Sequence, residues 1–120
     1  MANQNAKGLK RIVNAYYFSA AGFRATWHHE EAFRQEVILF VIGAPLAMLF
    51  GETMIERVLL IGSLVIVLLV ELLNSAIEAA VDRVGLEHHE LSGRAKDIGS
   101  AAVMLSLSWA AVTWTALLIF

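Results

Sequence analysis

Glu71, Asn74, Ser75, Glu78 and Asp82 fall at i, i+3, i+4, i+7 and i+11. On a helix that spacing puts them on one face. They follow thirteen residues without a charge, Val58 to Val70. Carboxylates on an apolar rod are costly to keep, and at membrane depth they mark functional sites. Glu71, the deeper acid, sits in a low-dielectric setting that suits a general base. Glu78, about 10 Å further along, is expected at the interface, ionised and able to hold a divalent cation.

Two more polar runs, His28 to Glu36 and Glu87 to Ser100, are expected to converge with the stripe on one leaflet. Glu30 could complete a cation site with Glu78, since magnesium takes one or two protein carboxylates together with substrate phosphates and water. Arg94 and Lys96 are expected in the first turn of the last helix, whose free N–H groups also attract anions. Base, metal, cation and helix N-terminus are the parts of phosphoryl transfer. An acceptor that reaches Glu71 from the bilayer would be a lipid hydroxyl. The soluble nucleotide-binding signatures are missing: no GxxxxGK[ST] loop, no HRD or DFG set. On the residues alone, enzyme and transporter both remain open. His28-His29-Glu30 and Glu87-His88-His89-Glu90 invite a zinc reading, but adjacent histidines diverge by about 100° on a helix and make no ready chelate.

The elements that must position these groups follow from composition. The chain has 120 residues, 58% hydrophobic and 17% charged, with one proline and no cysteine. A soluble domain this small cannot hide so much apolar sequence, so lipid is expected to solvate part of the surface. Cysteine chemistry and disulfides are excluded. A net charge of -2 does not suggest a nucleic-acid partner. The first 30 residues lack an apolar segment before an Ala-x-Ala site, so no cleavable signal is expected. With no repeat or linker, one membrane-embedded domain over residues 1–120 is expected.

Leu9, Ile12, Val13, Tyr16, Tyr17, Ala20, Phe23 and Trp27 recur at helical spacing, with Lys10, Arg11, Asn14 and Arg24 on other faces. This predicts an amphipathic surface helix over about 8–29, starting at Gly8 and bending at Gly22. The run from His28 to Glu36 reads as a polar hinge. Three spans are expected, over about 32–50, 54–84 and 92–120. In the first, Arg34 and Glu36 are expected near the headgroups, and Pro45 is expected to kink or end the helix. In the second, Thr53 is expected as N-cap with Glu56 at capping-box spacing, and Gly85 as the C-terminal stop. Ser92 is expected to cap the third, with Trp109 and Trp114 as interface anchors. Gly62, Gly99 and Ala101-Ala102 suit close helix packing. Lys7, Lys10, Arg11, Arg24 and Arg34 precede the first span, Arg83, Arg94 and Lys96 join the second to the third, and the outer turn carries only Arg57. That asymmetry predicts a cytoplasmic N-terminus and a periplasmic C-terminus.

The runs Glu71-Leu-Leu-Asn-Ser-Ala-Ile-Glu-Ala-Ala-Val-Asp-Arg83 and Glu90-Leu-Ser-Gly-Arg-Ala-Lys-Asp-Ile-Gly-Ser-Ala-Ala-Val103, with Glu31-Ala-Phe-Arg-Gln-Glu36, closely resemble the prokaryotic integral-membrane diacylglycerol kinases. The resemblance implies a homotrimer in the bacterial inner membrane that transfers the γ-phosphate of ATP to diacylglycerol with Mg²⁺, giving phosphatidic acid. It implies active sites shared between neighbouring subunits. Carried over by position, Glu71 matches the catalytic base, and Glu30 and Glu78 match the metal-binding carboxylates. Arg11, Phe18, Glu87, His88, His89, Lys96 and Asp97 fall at nucleotide positions. Arg24, Trp27, Ala32, Arg34, Gln35, Glu36 and Ser100 fall in the lipid-contacting region, together with Glu71. Asn74, Asp82 and Arg94 are supporting polar residues. The chain departs from the best-known members at Phe18, where they carry a tyrosine, and at Leu49 and Gly51, where they carry a tryptophan and an acid. Undecaprenol kinase is the nearest alternative; a small non-kinase transporter and a non-catalytic scaffold are the others.

Overall fold

A computed structural model describes residues 7–85 and 89–120. Every regular element among them is an α-helix: α1 (Gly8–His29), α2 (Glu31–Phe50), α3 (Met54–Val84) and α4 (Glu90–Leu118). The last three are long and apolar enough to cross a membrane. Most of their large apolar side chains point outward, among them Ile38, Val41, Ile55, Leu69 and Leu105. In water that surface would be untenable; in lipid it is the expected solvent-facing side.

What is buried is the seam where α3 packs against α2 and α4, a small core of Phe33, Ala47, Leu60, Leu64, Val67 and Ala110. Polar groups in the seam find partners inside it, as a water-free environment requires. Ser63 Oγ donates to Leu60 O at 2.7 Å. The Trp114 indole Nε1 of α4 donates to Ser63 Oγ at 3.1 Å and to Leu60 O at 3.2 Å. Trp114 is therefore a link between helices and not an interface anchor, whereas Trp109 is exposed. Gly43 is close-packed, a Cβ there standing 2.6 Å from Leu64 Cδ1 and 3.6 Å from the Trp114 ring, and Gly99 is close-packed as expected. Gly62 meets nothing within 4 Å and Ala101-Ala102 are exposed, so neither is the packing point the sequence suggested.

The helix ends differ from expectation in instructive ways. Pro45 stands inside α2, which continues to Phe50. Thr53 caps α3, its Oγ1 accepting from Glu56 N at 3.1 Å. The reciprocal bond goes one residue further back than in a capping box: Glu52 N donates to Glu56 Oε2 at 2.7 Å. Gly85 is extended (φ 170, ψ 154), so no left-handed cap closes α3. Ser92 lies inside α4; His89 caps it, its Nδ1 accepting from Leu91 N at 3.1 Å. α1 runs through Gly22 without a break and has no buried residue. It is joined to α2 by the Phe23–Phe33 ring pair, centroids 6.5 Å apart.

A candidate active site at one end of the three spans

The expected hinge of nine residues reduces to Glu30 alone. Its N–H donates to Thr26 O at 2.9 Å, ending α1, and its carbonyl accepts from Arg34 N at 3.3 Å, starting α2. With φ -120 and ψ 108, one extended residue turns the chain and aims the Glu30 side chain toward α3. Arg34 holds the corner. Its Nη1 donates to Trp27 O at 2.7 Å and to His28 O at 3.3 Å, placing a cation on the carbonyl end of α1. The sequence assigned Arg34 to the headgroups; its guanidinium is turned back onto the surface helix.

The stripe on α3 is ordered by its own i, i+4 bonds. Ser75 Oγ donates to Glu71 Oε2 at 3.3 Å, and Asn74 Nδ2 donates to Glu78 Oε1 at 2.9 Å. Asn74 and Ser75 therefore orient the two acids of their own helix instead of bonding across to another. Glu71 is 3% exposed, Glu78 is half-buried and Asp82 is open to solvent, the depth gradient expected of the stripe. Asn74 also lies against Gly99 of α4, where a Cβ would collide with its Oδ1. That oxygen is buried without a partner.

Glu36 is the largest departure. The sequence placed it beside Arg34 near the headgroups. It is 8% exposed, within hydrogen-bonding reach of the Glu71 carboxyl. Two carboxyl groups thus meet across the α2–α3 seam, and one oxygen of Glu36, Oε2, has no other partner.

Above this pair, toward the end of α3, a cleft of about 700 Å³ opens between α1 and α3. Glu30, His29, Thr26 and Ser19 line one wall and Ser75, Glu78 and Asp82 the other. Burial first, and the charge of Glu78 second, push the Glu30 carboxyl above the usual carboxylate range; His29 opposes the shift. On the open side Lys96 Nζ lies 2.6 Å from Asp82 Oδ1, which brings the start of α4 to the stripe. Because α4 begins at Glu90, Lys96 and Arg94 lie in its second turn, past the free N–H groups at its start. Arg94 makes only an exposed i, i+4 contact with Glu90 at 3.8 Å.

Glu71, Glu78, Glu30, Glu36, Asn74, Asp82 and Lys96 are therefore brought to one end of the molecule. Arg11, Phe18, Arg24, Trp27, Ala32, Gln35, Asp97 and Ser100 are exposed in the single chain. Glu87 and His88 lie outside the described residues, and His89 serves as the α4 cap. Sequence reasoning missed Ser19, Thr26 and His29 as cleft-lining residues. Their signal was available: with Gly22, Phe23 and Glu30 they recur at i, i+3 and i+4 on α1. Among the described residues no three His, Asp or Glu side chains gather as a closed metal cage. Glu30 and Glu78 instead form an open carboxylate pair. Their mutual repulsion, relieved by a cation, fits a magnesium ion that takes its remaining ligands from phosphate and water.

Three apolar spans, a peripheral helix and a buried acid beneath an acidic cleft define a helical integral-membrane protein with a polar site near one end of its spans. The prokaryotic diacylglycerol kinase family model matches residues 17–118. A diacylglycerol kinase of Escherichia coli (strain K12) is 52% identical over 118 residues, 98% of this chain and 96% of the relative. One from Pseudomonas aeruginosa is 53% identical over 112 residues, 93% and 91% of the two chains. One from Haemophilus influenzae is 46% identical over 113, 94% and 96%. The chain belongs to the prokaryotic diacylglycerol kinase family.

Proposed function

We propose that this protein is a lipid kinase that transfers the γ-phosphate of ATP to diacylglycerol, giving phosphatidic acid and ADP. The observation that carries the reading is the depth order on α3. A carboxyl buried at lipid depth, Glu71, lies about 10 Å along the helix from the acidic cleft at Glu78. The lipid hydroxyl enters from the bilayer side and the nucleotide from the water side. Glu71 accepts the hydroxyl proton as the hydroxyl oxygen bonds to the γ-phosphorus and the bond to the ADP oxygen breaks. Glu30 and Glu78 would hold Mg²⁺, which would offset phosphate charge. Lys96, held by Asp82 at the rim, supplies a further positive charge, and Asn74 fixes the Glu78 carboxylate.

The remaining assignments rest on family membership. Arg11, Phe18, Glu87, His88, His89, Lys96 and Asp97 contact the nucleotide. Arg24, Trp27, Ala32, Arg34, Gln35, Glu36 and Ser100 contact the lipid. The protein sits in the bacterial inner membrane as a homotrimer, N-terminus cytoplasmic and C-terminus periplasmic. Neighbouring subunits complete each site, consistent with the open cleft and the many exposed polar positions of one chain.

Purified protein in detergent, given MgATP and either diacylglycerol or undecaprenol, tests the reading. Phosphatidic acid is the expected product; a chain that phosphorylates only undecaprenol, or neither alcohol, refutes it. Glu71→Gln is expected to keep the fold and lose at least about a hundredfold in kcat. Near-normal turnover would remove Glu71 as the base.

A further inference from the structure

The facing carboxyls of Glu36 and Glu71 ask for a role beyond lipid contact. Glu36 projects from α2 into the seam, and its titratable neighbour there is Glu71 of α3. Glu71 in turn senses Glu30 of the hinge and Glu78 of its own helix, both acids. Among the described residues no lysine, arginine or histidine forms an ion pair with either member. Two negative charges side by side in an apolar seam repel strongly, and among the described residues no cation offsets them; Ser75 and Asn74 supply only neutral donors to Glu71. A single proton between the two oxygens removes the repulsion and satisfies both. The surroundings also decide where it resides. Glu71 Oε2 already accepts from Ser75 Oγ, so this carboxyl has a donor of its own. Glu36 receives no such donor, and its Oε2 is orphaned.

We propose that Glu36 carries a proton and donates it in a hydrogen bond to Glu71, making Glu36 the positioning residue that fixes the base across the α2–α3 seam. The proposal rests on the kinase reading for the word base; the shared proton itself does not. In this arrangement Glu71 is held from two sides, by Ser75 along its own helix and by Glu36 from α2. Its carboxylate stays ionised at lipid depth and cannot swing away from the incoming hydroxyl. No net charge is buried beyond the one the reaction uses.

The test uses full-length protein labelled with ¹³C-glutamate in dodecyl maltoside at neutral pH. Infrared difference spectra between wild type and Glu36→Gln should show a protonated-carboxyl C=O band that the variant lacks. In the lipid kinase assay Glu36→Gln, whose amide still donates, is expected to lose about tenfold or less in kcat. Glu36→Leu, which cannot donate, is expected to lose about a hundredfold or more. The loss should fall mainly on kcat, with at most a smaller rise in the KM for diacylglycerol from the lipid contact of Glu36, because orientation of the base acts on turnover. An unchanged band in Glu36→Gln, equal kcat losses in the two variants, or a raised lipid KM with normal kcat would overturn the proposal. Should Glu36→Leu fail to fold, the band and the kinetics of Glu36→Gln still decide. Absence of any lipid phosphorylation by wild type would refute the kinase reading and leave the infrared result to judge the pair.

Discussion

Asn74 and Gly99 form a contact whose importance is invisible at either position alone. Asn74 Nδ2 holds Glu78, and the space for the amide exists because α4 presents a glycine there. Gly99→Ala must push Asn74 off the Glu78 carboxylate. We expect about a tenfold or greater loss of kcat, with a destabilisation of about 1–3 kcal/mol from overpacking. Activity and denaturation midpoint measured on one preparation check both. Lys96 behaves oppositely. Its pairing with Asp82 is solvent-exposed, so Lys96→Met should barely move Tm while turnover collapses. Glu30 offers a pH test. Burial and Glu78 raise its folded-state carboxyl above the ordinary range, so the folded protein binds that proton more tightly than the unfolded chain. Its stabilising contribution is full in acid and is lost as pH rises through the folded-state value. Without Mg²⁺, Glu30→Gln should melt at a higher temperature than wild type at neutral pH, and the gap should close on acidification. A gap that widens in acid would contradict this.

At the scale of elements, the seam between α3 and α4 depends on one indole. Trp114→Phe removes the donor shared by Ser63 Oγ and Leu60 O and should cost about 1 kcal/mol, read as an earlier unfolding midpoint. The outer turn is equally specific. A Cβ at Gly51 would stand 2.6 Å from Arg57 Cγ and 2.7 Å from Ala47 O, so this chain's turn is shaped around a glycine. The corner at Glu30 is the element that most directly sets the site. One residue caps two helices, and Arg34 bolts the corner to the last carbonyls of α1. An insertion at this corner would rotate the Glu30 carboxylate away from Glu78.

At the scale of the molecule, one chain gathers the acids, Asn74 and Lys96 but leaves Arg11, Asp97 and Ser100 exposed. In a trimer with shared sites, two inactive variants should rescue each other. Co-reconstituted Glu71→Gln and Arg11→Ala subunits are expected to recover part of the activity that each lacks alone, if Arg11 and Glu71 of one site come from different subunits. No recovery, with subunit exchange verified by cross-linking, would place both in one subunit.

The polar stripe was legible in the sequence because helical periodicity is local. Residues at i, i+3, i+4 and i+7 share a face wherever the helix sits. The apolar runs likewise revealed three spans, since their length is set by the lipid and not by neighbours. Family membership was legible in the motifs. The partners of the stripe were not. The inward turn of Glu36 onto Glu71, the fit of Asn74 against Gly99, the Trp114 clamp and the pairing of Lys96 with Asp82 each join residues on different helices. Helix rotation and register decide such contacts, and a one-dimensional pattern does not fix either. Capping was misread at Ser92, because where a helix starts depends on which backbone groups its neighbours leave unpaired; Gly85 ends α3 as expected, though in an extended conformation. The sequence by itself determined the order of depth along α3, from buried Glu71 to exposed Asp82. Only the tertiary structure decided that the deep acid has a second carboxyl for a partner.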